Sequence, residues 1–229
     1  ITTMPAEDIT LYPIWTSGYV ATFISDGTAV TDYSKAYTTG DTIDKPTLTK
    51  EGYTFDGWIV TNTNTDEHIT PEPEVMPDYN ITFTAKWTPI SYTIAFNANG
   101  GEGLTASVND VDYDANATLT PNGFTREGYT FIGWATSAIG EKVYNDEASV
   151  KNLTATDNET VTLYAVWQIN QYTITFNTDG GSTVDSITAD YGTAIGTVAE
   201  PTKTGYTFAG WNKEIPATMP AEDMTITAS

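Results

Sequence analysis

Few side chains in this sequence could do chemistry, and their types restrict what that chemistry could be. There is one histidine, His68, and no cysteine. A thiol nucleophile, a disulfide framework and a Cys/His zinc site therefore have no material, and Ser–His catalysis has a single base to draw on. His68 stands in the polar stretch 61–68, where a lone imidazole most often faces solvent. Asp110, Asp112 and Asp114 alternate along a short run. On a strand they would line one face and could hold a calcium ion weakly. They do not form an EF-hand loop, because Ala115 and Pro121 occupy the positions that need Gly and Glu. The expectation is a solvated face, with these three aspartates as the one metal candidate. Thirty acidic residues supply many carboxylates, but glycoside hydrolysis needs two of them in one shaped cleft. The chain reads as non-catalytic and without a cofactor.

The charge balance narrows the partners. Against thirty acids stand nine basic residues, a formal net charge of −21. Nucleic acid is excluded, because its binding rests on Lys and Arg at phosphates. A polybasic membrane contact is excluded on the same ground. No stretch of 18 or more apolar residues is present, so no inserted membrane span is expected. Abundant Thr, 14 Tyr, 6 Trp and 8 Phe favour strands.

The elements that must position any site are set by one phrase written three times. It begins at Gly52, Gly128 and Gly205 and reads Gly-Tyr-Thr-Phe-x-Gly-Trp. Alternation puts Tyr and Phe on one face of a strand. The second Gly marks a bulge or a close backbone approach before the indole. Modules of roughly 75 residues need large apolar side chains to hold together. Tyr53, Phe55, Trp58, Tyr129, Phe131, Trp134, Tyr206, Phe208 and Trp211, with the closing Trp87 and Trp167, are therefore expected in cores and not on an aromatic shelf. Asn97 to Gly101 and Asn177 to Gly181 read as hairpin turns. The spacing of Tyr113 to Pro121 repeats that of Tyr37 to Pro46 within one residue. Four segments follow: 1–15, the closing strand of a preceding repeat; 16–88, module one; 89–168, module two; and 169–229, module three with its closing strand truncated. The joints between them are three or four residues long, too short for free tumbling.

The phrase, together with Tyr-Thr-Ile-Thr-Phe-Asn-x-x-Gly-Gly at 172–181 and the closing Thr-Leu-Tyr-Ala-Val-Trp at 162–167, resembles the Listeria–Bacteroides repeat, the internalin B-repeat type. The resemblance covers essentially the whole chain. It implies mainly β, β-grasp-like modules in tandem, in extracellular bacterial cell-surface or secreted proteins, where they space or present other domains and some contact host surfaces. It carries no catalytic residue to transfer.

Two functions from different classes are expected on these grounds. The first is a semi-rigid stalk. The second is an adhesion or binding module for a glycan, for a host or bacterial surface protein, or for a second copy. The binding module would use the loop 59–77 of module one, with Asp66, Glu67 and His68 as its polar tip. Segment 1–15 could support head-to-tail self-association by strand pairing.

Overall fold

The structure, a computed structural model, describes residues 18–229. The expectation for segment 1–15 lies outside the described residues. Among the described residues every regular element is a strand. The chain divides into two compact units at Ile90/Ser91.

The first unit holds module one. Its strands are β1 (Gly18–Ser25), β2 (Thr28–Ala29), β3 (Lys35–Thr38), β4 (Tyr53–Asn62) and β5 (Ile81–Pro89). The sheet runs β2-β1-β5-β4, with β3 also paired to β1. β1 and β5 are parallel, from Ala21 opposite Ile81 to Ile24 opposite Thr84, and β4 is antiparallel to β5. Period-two patterning explains which face is covered. Ile81 and Phe83 of β5 are buried, and the neighbouring Thr84 is exposed. The core joins Ala21, Phe23, Val60, Met76, Ile81 and Phe83. Phe23 stacks on Phe83 at 4.6 Å, and Trp58 meets Phe23 edge-on at 5.1 Å.

The second unit holds modules two and three. Module two has β6 (Ser91–Asn97), β7 (Glu102–Gly103), β8 (Val108–Asp112), β9 (Ala117–Thr118), β10 (Phe124–Thr125), β11 (Tyr129–Ala135), β12 (Ser149–Val150) and β13 (Thr160–Ile169). Its main sheet runs β11-β13-β6-β8, and β7–β10 and β9–β12 form two small ladders. Module three has β14 (Gln171–Asn177), β15 (Ile187–Asp190) and β16 (Met224–Thr227), in the order β15-β14-β16. Each module keeps the same centre. The first strand lies between an antiparallel return strand and a parallel closing strand.

The Met-Pro phrase feeds the closing strand through a turn, with no helix. Met76 and Met219 are fully buried and serve as core anchors. The residue just before the closing strand then accepts from the first strand. Asn80 Oδ1 takes Val20 N–H at 2.7 Å, and Asp223 Oδ1 takes Thr173 N–H at 2.7 Å. Module two lacks the phrase, and there the backbone carbonyl of Glu159 takes Thr93 N–H at 2.9 Å. The altered sequence thus replaces a side-chain acceptor with a main-chain one.

Three expectations need correction. Asn99 and Gly100 do adopt positive φ, 48° and 88°, as the turn requires. Yet β7 then pairs with β10 and not with β6, so the turn does not close a hairpin. The Trp167 indole packs against Gly101, where a Cβ would stand 2.6 Å from Trp167 Cζ2. The spacing match of Tyr37 with Tyr113 is also not structural. Tyr37 pairs opposite Tyr19, the position held by Val111 opposite Tyr92 and Ala189 opposite Tyr172. Finally, the repeated phrase in module three makes only isolated bridges, Lys203 with Tyr206 and Trp211 with Ala228. In the register of module two, partners for Tyr206, Thr207 and Phe208 would lie past Ser229.

Candidate functional site

The repeated phrase is a β-bulge followed by an anchor, as the second Gly suggests. Pairing of β4 with β5 shifts between Phe55 and Trp58, and that of β11 with β13 between Phe131 and Gly133. Gly133 has φ 142°, and a Cβ there would sit 2.4 Å from the Tyr144 carbonyl oxygen. That approach lets Trp134 N–H donate to Tyr144 C=O at 2.8 Å. Trp134 is fully buried, 4.6 Å from the Phe96 ring and 4.9 Å from Phe131. Its indole N–H is the one buried side-chain polar atom without a partner among the described residues. Trp58 and Trp211 are half-buried in the same place. Phe131 and Phe55 each touch both tryptophans of their module.

The tyrosines behave differently. Each stacks under the cation three residues before it. Lys50 Nζ lies 4.1 Å from the Tyr53 centroid, Arg126 Cζ 3.9 Å from Tyr129, and Lys203 Nζ 4.8 Å from Tyr206. A backbone bond closes each turn, from the Tyr N–H to the carbonyl of that same basic residue. Lys50 and Lys203 also reach back to the first turn of their modules, pairing Asp26 at 2.7 Å and Asp179 at 3.2 Å. Asn99 takes that aspartate's place in module two and donates instead to the Ala138 and Ala165 carbonyls, both at 2.9 Å. Tyr206 is 73% exposed, whereas its counterparts Tyr53 and Tyr129 are half-buried. It edges a cavity of about 140 Å³ with Thr178, Gly181 and Phe208, the counterparts of the Trp167 contacts Ala98, Gly101 and Phe131.

The most built polar and aromatic cluster is the joint between modules two and three. β13 ends at Ile169 and β14 starts at Gln171, leaving Asn170 alone between two strands. Asn170 bonds both ways. Its N–H donates to Gly128 C=O at 2.9 Å, and its C=O accepts from Tyr191 N–H at 2.9 Å. Thr130 Oγ1 donates to Asn170 Oδ1 at 2.7 Å. The Tyr191 ring then lies on Gly128, so close that a Cβ would stand 2.1 Å from it. It meets Tyr129 edge-on at 6.2 Å, and its hydroxyl donates to Glu127 Oε2 at 3.2 Å. Desolvation and the Glu127 carboxylate together raise the Tyr191 pKa above the usual phenol value. Gly128, the first Gly of the phrase in module two, is therefore a seat for the next module's Tyr191. Sequence reasoning reads it only as a strand entry; the signal it misses is the Asp190-Tyr191 pair. The joint-closing bond recurs inside the first unit, where Ile90 N–H donates to Gly52 C=O at 2.9 Å.

The other candidates are scattered. Asp110 has φ 52° and stands on a bulge where β8 slips against β6. Asp114 has left the strand in a turn with φ 66°, and pairs Lys151 at 3.1 Å. The alternation that would align them with Asp112 is broken twice. Among the described residues no three His, Asp or Glu side chains gather at a metal-holding distance. Asp66, Glu67 and His68 lie together and exposed, in a tight turn closed by Asn62 N–H to Glu67 C=O at 2.9 Å and Ile69 N–H to Val60 C=O at 2.9 Å. The rest of that loop is tied down: Ile43 N–H donates to Glu74 C=O, and Lys45 pairs Glu72 at 2.6 Å and Glu74 at 3.0 Å. Burial opposes the charge on Lys45, but the two glutamates outweigh it and raise its pKa. No described helix is long and apolar enough to cross a membrane.

Three repeats of one small all-β design, joined by one residue where the joint is described, define a tandem-repeat protein. The chain belongs to the Listeria–Bacteroides repeat family, whose model matches residues 19–86, 92–166 and 172–229. It is 33% identical over 214 residues to a protein of Evansella cellulosilytica named "Putative membrane protein", covering 90% of this chain and 30% of that protein. It is 35% identical over 125 residues to Internalin H of Listeria monocytogenes, covering 53% of this chain and 20% of that one. The chain thus spans less than a third of either relative.

Proposed function

We propose that this chain is a non-catalytic spacer of an extracellular bacterial surface or secreted protein, a semi-rigid rod of β-grasp-like modules that presents other domains. The observation that carries the reading is the Tyr191–Gly128 joint, in which one residue separates two strands and five side chains or backbone groups fix it. A spacer needs modules that hold themselves and joints that do not fold back. The names of the relatives, one a membrane protein and one an internalin, support a place at the cell envelope.

Small-angle X-ray scattering tests it. A single globule of this length should have a radius of gyration of about 17 Å, and three such beads in line, each about 30 Å apart, about 27 Å with the bead size from the same scaling. A value near the larger figure is expected, and one near the smaller would overturn the rod.

A second reading is adhesion through module one. The observation favouring it is the exposed acidic turn Asp66–His68 beside a recess lined by Asn62, Ile69 and Tyr79, in a loop longer than its counterpart in module three.

A further inference from the structure

The geometry points to a second property of these modules: each is a shear clamp that bears tension applied along the chain. In module two the chain enters at the start of β6 and leaves at the end of β13. These two strands are neighbours and parallel, paired from Thr93 opposite Thr160 to Asn97 opposite Tyr164. Entry and exit therefore lie at opposite ends of one ladder. Pulling the ends apart slides β6 along β13, so the whole set of slanted parallel bonds carries the load together. Had the two terminal strands been antiparallel, entry and exit would share one end and the bonds would break in succession.

Packing adds to the ladder. Ile94 on β6 and Leu163 and Ala165 on β13 are fully buried, so sliding drags close-packed side chains past one another. Thr93 N–H to Glu159 C=O extends the ladder by one bond at its entry end. Beyond β13, Asn170 alone leads into β14, so tension passes from strand to strand without a slack loop. The same parallel pair recurs as β1 with β5 and as β14 with β16, although the loops around them differ. Bulges and insertions are confined to the strands and turns outside this pair. The clamp gives the spacer reading a use, a tether between a surface and an object that pulls on it. Its geometry stands apart from that reading.

The absence of native cysteine allows the pulling direction to be chosen by paired substitutions in the full chain. Handles on Ser91→Cys with Gln168→Cys load the ladder in shear. Handles on Ser91→Cys with Thr160→Cys hold both strands at one end and peel them apart. At equal loading rate in a single-molecule force experiment, the shear pair should unfold at severalfold higher force. Forced unfolding reports the barrier and not the equilibrium stability, so matched thermal melts of both variants establish that the difference is directional. If either variant melts low, the unsubstituted modules are pulled through the chain termini instead, and the high-force events must appear there. Equal forces in the two directions, or terminal pulling without high-force events, would overturn the clamp. Neither result would touch the spacer reading, which falls only on a compact radius of gyration.

Discussion

The tryptophan after the bulge and the tyrosine before it come from one phrase, yet they belong to different environments. Trp134 is sealed among Phe96, Phe124 and Phe131 with its N–H unpartnered. Trp134→Ala should cost module two about 3–5 kcal/mol in denaturant unfolding. Trp134→Phe forfeits packing but no hydrogen bond, and should fall between that variant and the parent. Tyr206→Ala, at an exposed ring over which Lys203 hangs, should change stability by less than about 0.5 kcal/mol. A Tyr206 variant as damaging as the Trp134 one would refute the division. The second Gly of the phrase made Trp134 legible as a buried anchor. Alternation could not distinguish the tyrosines, because a ring that stacks under Lys50, Arg126 or Lys203 has the same period as one that faces inward. The basic residue three positions upstream carried the distinction.

Among elements, the joint makes the sharpest demands. Gly128 combines φ 73° with a tyrosine ring where its Cβ would be. Gly128→Ala should therefore lower the melting point modestly, through backbone strain of about 1 kcal/mol. It should also unlock module three from module two, so that NMR relaxation gives the two separate tumbling times where the parent gives one. Tyr191 supplies a reversible version of the same test. Its phenol is held protonated by desolvation and by donation to Glu127, so its pKa is raised on docking. The sign follows from that direction: the docking contribution is whole below the ordinary phenol pKa of about 10 and is lost as pH climbs through the raised value. An ultraviolet tyrosinate titration should show one late-ionising tyrosine that Gly128→Ala returns to the bulk, and no such shift would exclude the contact. The strands themselves were readable from Tyr-Thr-Ile-Thr-Phe and Thr-Leu-Tyr-Ala-Val-Trp. The pairing of distant ones was not. Turn chemistry at Asn99-Gly100 specifies a local φ, whereas the partner of β7 is the distant β10, about twenty residues along the chain.

For the whole molecule the open quantity is length per module, and charge is the rival explanation of any extension. A net charge of −21 favours expansion by repulsion. Repulsion is screened over about 10 Å at 0.1 M salt and about 3 Å at 1 M; a packed joint is not. The radius of gyration should hold constant between those salt concentrations if joints set the spacing, and shrink if charge does. The tandem plan was legible from repeated words alone. The three aspartates do not line one face, because Asp110 sits on a bulge of β8 and Asp114 lies past its end. The parallel terminal strands have a consequence for inheritance. A module that receives the chain at one end of its sheet, releases it at the other and needs one residue to start the next can be copied or deleted in frame without disturbing its neighbours. The identical phrases Met4–Asp8 and Met219–Asp223 fit such copying. Reach then becomes a trait that a population can adjust by counting repeats, with no new fold to evolve.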